Sequence, residues 1–131
     1  MTRVWNKTEA FEYFGAKQKN ARWSWSARCE DTKTVVVTLW QDHFIDGGRK
    51  YLAQGITTLK TRPGHTELME NLRWALDNCD GIVRAVMAVA KDTKADPRSI
   101  AKCFPHPTLR MRIVEFEPDE RRFLLERIEE V

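Results

Sequence analysis

The sequence predicts an α+β fold: a mostly antiparallel sheet of about five or six strands covered by two or three helices. Three observations point there. Residues 22–29 and 34–40 alternate or are β-branched and are joined by a short polar turn, the pattern of a hairpin. Residues 66–79 place apolar side chains at the 3.6-residue period of a helix. At 131 residues, 42% hydrophobic and 31% charged, the chain has the size and composition of one domain with one real core, spanning residues 1–131.

The elements follow in order. Asn6 with Glu9 three residues on is a capping-box pattern, opening a first helix that carries Ala10, Phe11 and Phe14 and stops at Gly15. In the first strand Trp23, Trp25, Ala27 and Cys29 share one face, and Arg22, Ser24, Ser26 and Arg28 the other. Glu30 to Lys33 turns the chain into Thr34–Trp40, whose face bearing Val36, Thr38 and Trp40 extends to Asp42 and Phe44 if the strand continues. Asp46-Gly47-Gly48 is a turn, followed by a third strand within Tyr51–Thr58 and a loop from Thr57 to His65.

The second helix, Thr66 to Cys79, presents Leu68, Leu72, Ala75, Leu76 and Cys79, and Asp80-Gly81 ends it. Ile82 to Ala90 reads as a buried strand. Asp96-Pro97 opens a short helix to about Lys102, closed by Phe104-Pro105-His106-Pro107. Leu109 to Phe116 is a strand with Leu109, Met111 and Ile113 on one face. Beyond it, Pro118-Asp119-Glu120 turns a hairpin into a strand at Phe123–Arg127, with a terminal helix through Leu124, Ile128 and Val131 as the alternative.

Composition excludes several classes. The longest apolar run, Gly81 to Ala90, is broken by Arg84 and falls far short of the roughly 20 residues that cross a bilayer. The N-terminal residues lack the apolar stretch of a secretory signal, so a cytoplasmic protein with no membrane partner is expected. Cys29, Cys79 and Cys103 are odd in number and lack metal-ligand spacing, which points to reduced thiols and no metal site. No cofactor motif occurs. The net charge of +3 is uneven: residues 1–62 carry 11 Lys/Arg against 6 Asp/Glu, and residues 63–131 carry 11 against 13.

The blocks WSWSAR, VVVTLWQD, ENLRWALDNCDG, VMAVAKD and PRSIAKCFP resemble those of a group of small bacterial proteins of uncharacterised function. The resemblance runs from about Ala21 to Phe116. It implies a one-domain bacterial or phage protein and favours the C-terminal hairpin, whose loop here lacks glycine. It brings no activity with it.

Three functional readings follow from the residues. In the first, Trp40 is a stacking platform beside Asp42 and His43, a pairing that suits an unpaired or modified nucleic-acid base. Arg22, Arg28, Lys17, Lys19, Arg49 and Lys50 would then meet phosphates. The bland alternative makes Trp40 core and Asp42 a turn residue, and core is the expected role of Trp23 and Trp25. In the second reading, Trp74 departs from the apolar stripe of its helix and lies among Glu67, Glu70, Asn71 and Asn78. It is either covered by another segment or used, with Glu70 and Asn78, to bind a protein partner or a second copy. The third is a metal-dependent hydrolase using Asp42, Asp46, Glu30 and Asp31. Catalytic signals are otherwise thin: His43, His65 and His106 are isolated, and no nucleophile motif is present.

Overall fold

A computed structural model describes residues 5–19, 24–53, 62–94, 100–120 and 122–128. Its elements run α1 (Lys7–Glu12), β1 (Ser26–Cys29), β2 (Thr34–Trp40), β3 (Phe44–Ile45), β4 (Lys50–Ala53), α2 (Arg62–Asn78), β5 (Ile82–Ala90), β6 (Ile100–Glu117) and β7 (Arg122–Arg127). The fold is α+β, with seven strands among the described residues in the order β1-β2-β5-β6-β7-β4-β3. Every pairing is antiparallel except β2 with β5.

The connection from β2 to β3 fixes the sheet's curvature. Gln41–His43 alone separates them, yet they lie five strand spacings apart in the sheet order. In a flat sheet that distance would be about 24 Å, beyond the ~14 Å that four residue steps can reach. The sheet therefore curls until the end of β2 meets β4, and the backbone N–H of Trp40 donates to the Tyr51 hydroxyl at 3.2 Å. Inside the curl, Val35, Val37 and Leu39 pack with Tyr51, Val83, Ala85, Met111, Ile113, Phe123 and Leu125 against Leu68, Leu72 and Ala75 of α2. On the outer face, α1 buries Ala10 and Phe11 against Ala27, Val36, Val86 and Cys103.

Local chemistry explains the element ends. The Asn6 side chain accepts from the Glu9 N–H at 2.8 Å while Glu9 accepts from the Asn6 N–H at 3.2 Å, the expected capping box. At the end of α2, Asp80 and Gly81 take left-handed φ values of 55° and 73°. The Gly81 N–H returns to the Ala75 carbonyl at 2.9 Å, and the Gly81 carbonyl accepts from Ile113 N–H at 2.8 Å.

Several expectations need correction. α2 begins at Arg62, so the end of the expected loop is helical, with Pro63 accommodated in the first turn where its missing N–H costs nothing. β2 stops at Trp40, and Asp42 lies in the Gln41–His43 turn rather than on the Trp40 strand face. Ile100 to Lys102 are strand, not helix, and Phe104 to Pro107 belong to β6. Pro107 is tolerated because the register jumps from Arg84↔Arg110 to Val86↔Pro105, looping out the residues between, and Pro105 sits at the edge of that jump. That loop is pinned: His106 Nδ1 accepts from Leu109 N–H at 3.0 Å, and the Arg84 guanidinium donates to the Leu109 and Pro107 carbonyls. The C-terminal hairpin forms, with Pro118–Glu120 as its turn. Arg22, Trp23, the stretch after Ala53 in the third expected strand, and Asp96-Pro97 lie outside the described residues.

Candidate functional site

The β1–β2 hairpin and the turn after it set a row of aromatic rings at one end of the sheet. Ser26 pairs with Val37, so Trp25 stands opposite Thr38, and the Thr38 N–H donates to the Trp25 carbonyl at 3.0 Å. The Trp25 and Trp40 rings are 5.5 Å apart at 41°. Trp40 lies 6.5 Å from the His43 ring, His43 6.4 Å from Tyr51, and Tyr51 packs on Phe44 and Phe123. Along the row Trp25 and Trp40 are half-buried, His43 is exposed and Tyr51 is buried. Asp42, also exposed, holds its carboxylate 4.0 Å from His43 Nε2.

Lys7, at the start of α1, places its ammonium over the Trp25 ring at 5.6 Å from the centroid. Burial pushes the Lys7 pKa below the usual lysine value, against smaller upward pulls from the Cys103 thiol and the Glu67 carboxylate. Nothing in the sequence pattern marks Lys7, because its role depends on α1 crossing the outer face.

Among the described residues, not all of the expected basic side chains gather at this end. Arg28 stacks over Trp74 at 5.1 Å and pairs with Glu30 at 3.2 Å. Lys17 bridges Arg28 through the backbone, which leaves both several residues along β1 from Trp25. Arg49 and Lys50 are closer, since Lys50 precedes Tyr51 and Phe44 pairs with Tyr51. Lys19 is exposed just beyond the Lys17–Arg28 bridge.

Trp74 is covered rather than free. It is half-buried against the core, and with Arg28, Met69, Glu70, Arg73 and Phe116 it lines a groove of about 320 Å³. Arg73 stacks over Phe116 at 5.1 Å on the opposite wall. Asn78 turns its amide onto the Trp74 carbonyl at 3.1 Å, so this contact lies within the helix and not towards a partner. Glu67 and Asn71, expected beside an exposed Trp74, are both 4% exposed, and Asn71 donates to the Ser26 hydroxyl at 2.8 Å.

The acidic residues of the hydrolase reading are dispersed. Glu30 and Asp31 sit in the turn before β2 and Asp42 after it, separated by a seven-residue strand, about 23 Å. Among the described residues no three His, Cys, Asp or Glu side chains gather as a metal site, and no helix there is long and apolar enough to cross a membrane.

Fold and site together define a curled seven-stranded α+β domain with an aromatic cluster and a carboxylate at one end of its sheet. Comparison with protein-family models, curated proteins and solved structures finds no match.

Proposed function

We propose that this chain is a nucleic-acid-binding module that reads an unpaired or modified base. The base stacks at Trp40, and Asp42 accepts a hydrogen bond from an exocyclic amine on its edge. Arg49, Lys50 and Lys19 meet phosphates. Arg28 and Lys17 leave that role for the other end of β1. The observation that carries the reading is the half-buried Trp40 ring, supported behind by Trp25 and flanked by the exposed Asp42–His43 pair. A backed, half-exposed ring is a stacking plane, and such stacking contributes about 1–3 kcal/mol per base. A cytoplasmic site of action and a bacterial or phage origin go with this reading.

The test is fluorescence anisotropy with labelled single-stranded, duplex and base-modified oligonucleotides at 50 and 200 mM salt. Three phosphate contacts on a single strand give a salt slope near −2, so affinity should fall about twentyfold across that range. Absence of binding at the lower salt to all three probe classes would contradict the proposal.

A second reading, self-association or partner binding through Trp74, is favoured by the groove with its two arginine–aromatic walls. It expects a concentration-dependent dimer in sedimentation velocity that Trp74→Ala weakens. A monomer at all concentrations would remove the self-associating form.

A further inference from the structure

The outer face of the sheet carries a band of cations that the aromatic row does not use. Leu109, Met111 and Ile113 of β6 are buried inside the curl, so Arg110, Arg112 and Val114 between them turn outwards, and all three are exposed. By the same alternation Lys50, beside buried Tyr51, and Glu126, beside buried Leu125, share that outer face. So does Arg84, between Val83 and Ala85. Among the described residues α1 is the α-helix on this side, and what it buries lies on β1, β2, β5 and the first part of β6. The outer face of β4, β7 and the second part of β6 lies beyond it.

Register gathers the charges. Lys50 pairs with Glu126 and Glu126 with Arg112, a single row across three strands spanning about 10 Å. Two residues back along β6, Arg110 stands opposite Arg84. At the strand ends the Arg127 N–H donates to the Arg49 carbonyl at 2.7 Å and the Ile128 N–H to the Arg110 carbonyl at 2.9 Å, which brings Arg49 and Arg127 alongside. Within these two rows the one acid is Glu126. Further along the hairpin, Glu115 and Glu117 are held by Arg122 at 3.1 and 3.6 Å. His106 registers the excess of positive charge: besides burial, Arg127 and Arg84 push its pKa down. Arg84 donates to the Leu109 and Pro107 carbonyls and stacks on Phe14 at 5.0 Å, so it adds charge to the face rather than a ligand contact.

A guanidinium fork takes two phosphate oxygens at once, and a row of cations suits a repeating anion better than a single one. Lys50 adjoins Tyr51, whose hydroxyl accepts the Trp40 N–H, so the row starts near the end of β2. We infer that a single strand of nucleic acid whose base is held at Trp40 runs on over this outer face, its phosphates meeting Lys50, Arg112 and Arg110. This rests on the nucleic-acid function proposed above and adds two contacts to it, Arg110 and Arg112.

Strand length separates the two. A labelled dC 4-mer is confined to Trp40 and the three cations already assigned, and its salt slope should be about −2. A dC 12-mer also reaches Arg110 and Arg112. Five contacts give a slope of about −3.5, so its affinity should fall about 130-fold between 50 and 200 mM salt. In Arg110→Gln/Arg112→Gln the 12-mer slope should return to about −2, with 4-mer affinity and melting temperature unchanged because both side chains are exposed. Arg110→Lys/Arg112→Lys keeps the charge and should keep the steep slope.

A 12-mer slope that the glutamine variant leaves unchanged would overturn this inference, and the base-reading function would stand if Trp40→Ala still destroyed binding at both lengths. Binding untouched by Trp40→Ala, with the slope falling as expected in the glutamine variant, would remove the base site and keep the phosphate face. A dimer in sedimentation velocity that the glutamine variant dissolves, with no change in slope, would give the face to a second copy instead. No binding of either length by the native chain would end both.

Discussion

Trp40 serves the fold through its backbone and, in the proposed function, stacks a base with its ring. The N–H locks the end of β2 to Tyr51, whereas the ring leans on Trp25 from a half-exposed position. Trp40→Ala should therefore abolish oligonucleotide binding while lowering stability by only about 1–2 kcal/mol, the scale of one aromatic pair plus partial burial. Trp25 packs against the main core as well, so Trp25→Ala should cost about 3 kcal/mol. Urea unfolding of the two variants separates these roles, and a costlier Trp40 would make it a core residue.

His106 gives a pH dependence. Burial, with Arg127 and Arg84 nearby, lowers its pKa below the ordinary 6.5, and its Nδ1 accepts a bond that only the neutral ring can take. The unfolded chain thus binds a proton more readily than the native one. The stabilisation from a neutral His106 is intact above pH 6.5 and shrinks as pH falls through that value towards the lower native pKa. The urea midpoint should drop more between pH 7.5 and pH 5 for the native chain than for His106→Asn; equal drops would refute the assignment. At this scale the proximity of Trp40, Asp42 and His43 was legible because an aromatic beside polar residues at a strand end is a local pattern. Arg28 was misplaced because alternation reports a face but not which end of the sheet a residue serves. Asn71 was misread because a polar residue off the apolar stripe reads as solvated until β1 is known to cover it.

Elements were legible where one period held throughout. β2 and β5 match the expected ranges because β-branched runs bounded by turns leave little choice, and α2 shows its stripe of Leu68, Leu72 and Ala75. β6 was misread at its start because prolines argue for interruption. The interruption is real, but it is a loop within the strand, held by Arg84 and His106 from outside the local sequence. The stop of α2 also makes a prediction. Gly81 has φ 73° and space for a Cβ only at 3.4 Å from Leu76 Cδ2. Gly81→Ala should cost about 1–2 kcal/mol from left-handed backbone strain alone. Leu72→Ala, at a fully buried position, should cost about 3 kcal/mol. Thermal denaturation ranks the pair, and a neutral Gly81→Ala would contradict the capping role.

At the scale of the molecule, the α+β class was readable from sequence, but the strand count fell short, with five or six expected where seven form among the described residues, and the curl could not be read at all. It follows from a three-residue connection between strands that lie far apart in the sheet, and the order was not readable from local pattern. The curl brings β4 under the end of β2, so Tyr51 supports Trp40 and the aromatic row becomes continuous. It also sets the Trp74 groove against α2 and β6, away from that row. Trp25 with Trp40 at the sheet end and Trp74 in its groove are thus separate environments, and the proposed function uses the first. Indole N–H signals of the five tryptophans in a ¹H–¹⁵N spectrum, followed while a short single-stranded oligonucleotide is titrated in, report on both at once. The Trp40 and Trp25 signals should shift together and saturably while Trp74 stays fixed. Shifts confined to Trp74, or none at all, would contradict a base-reading site at the end of β2.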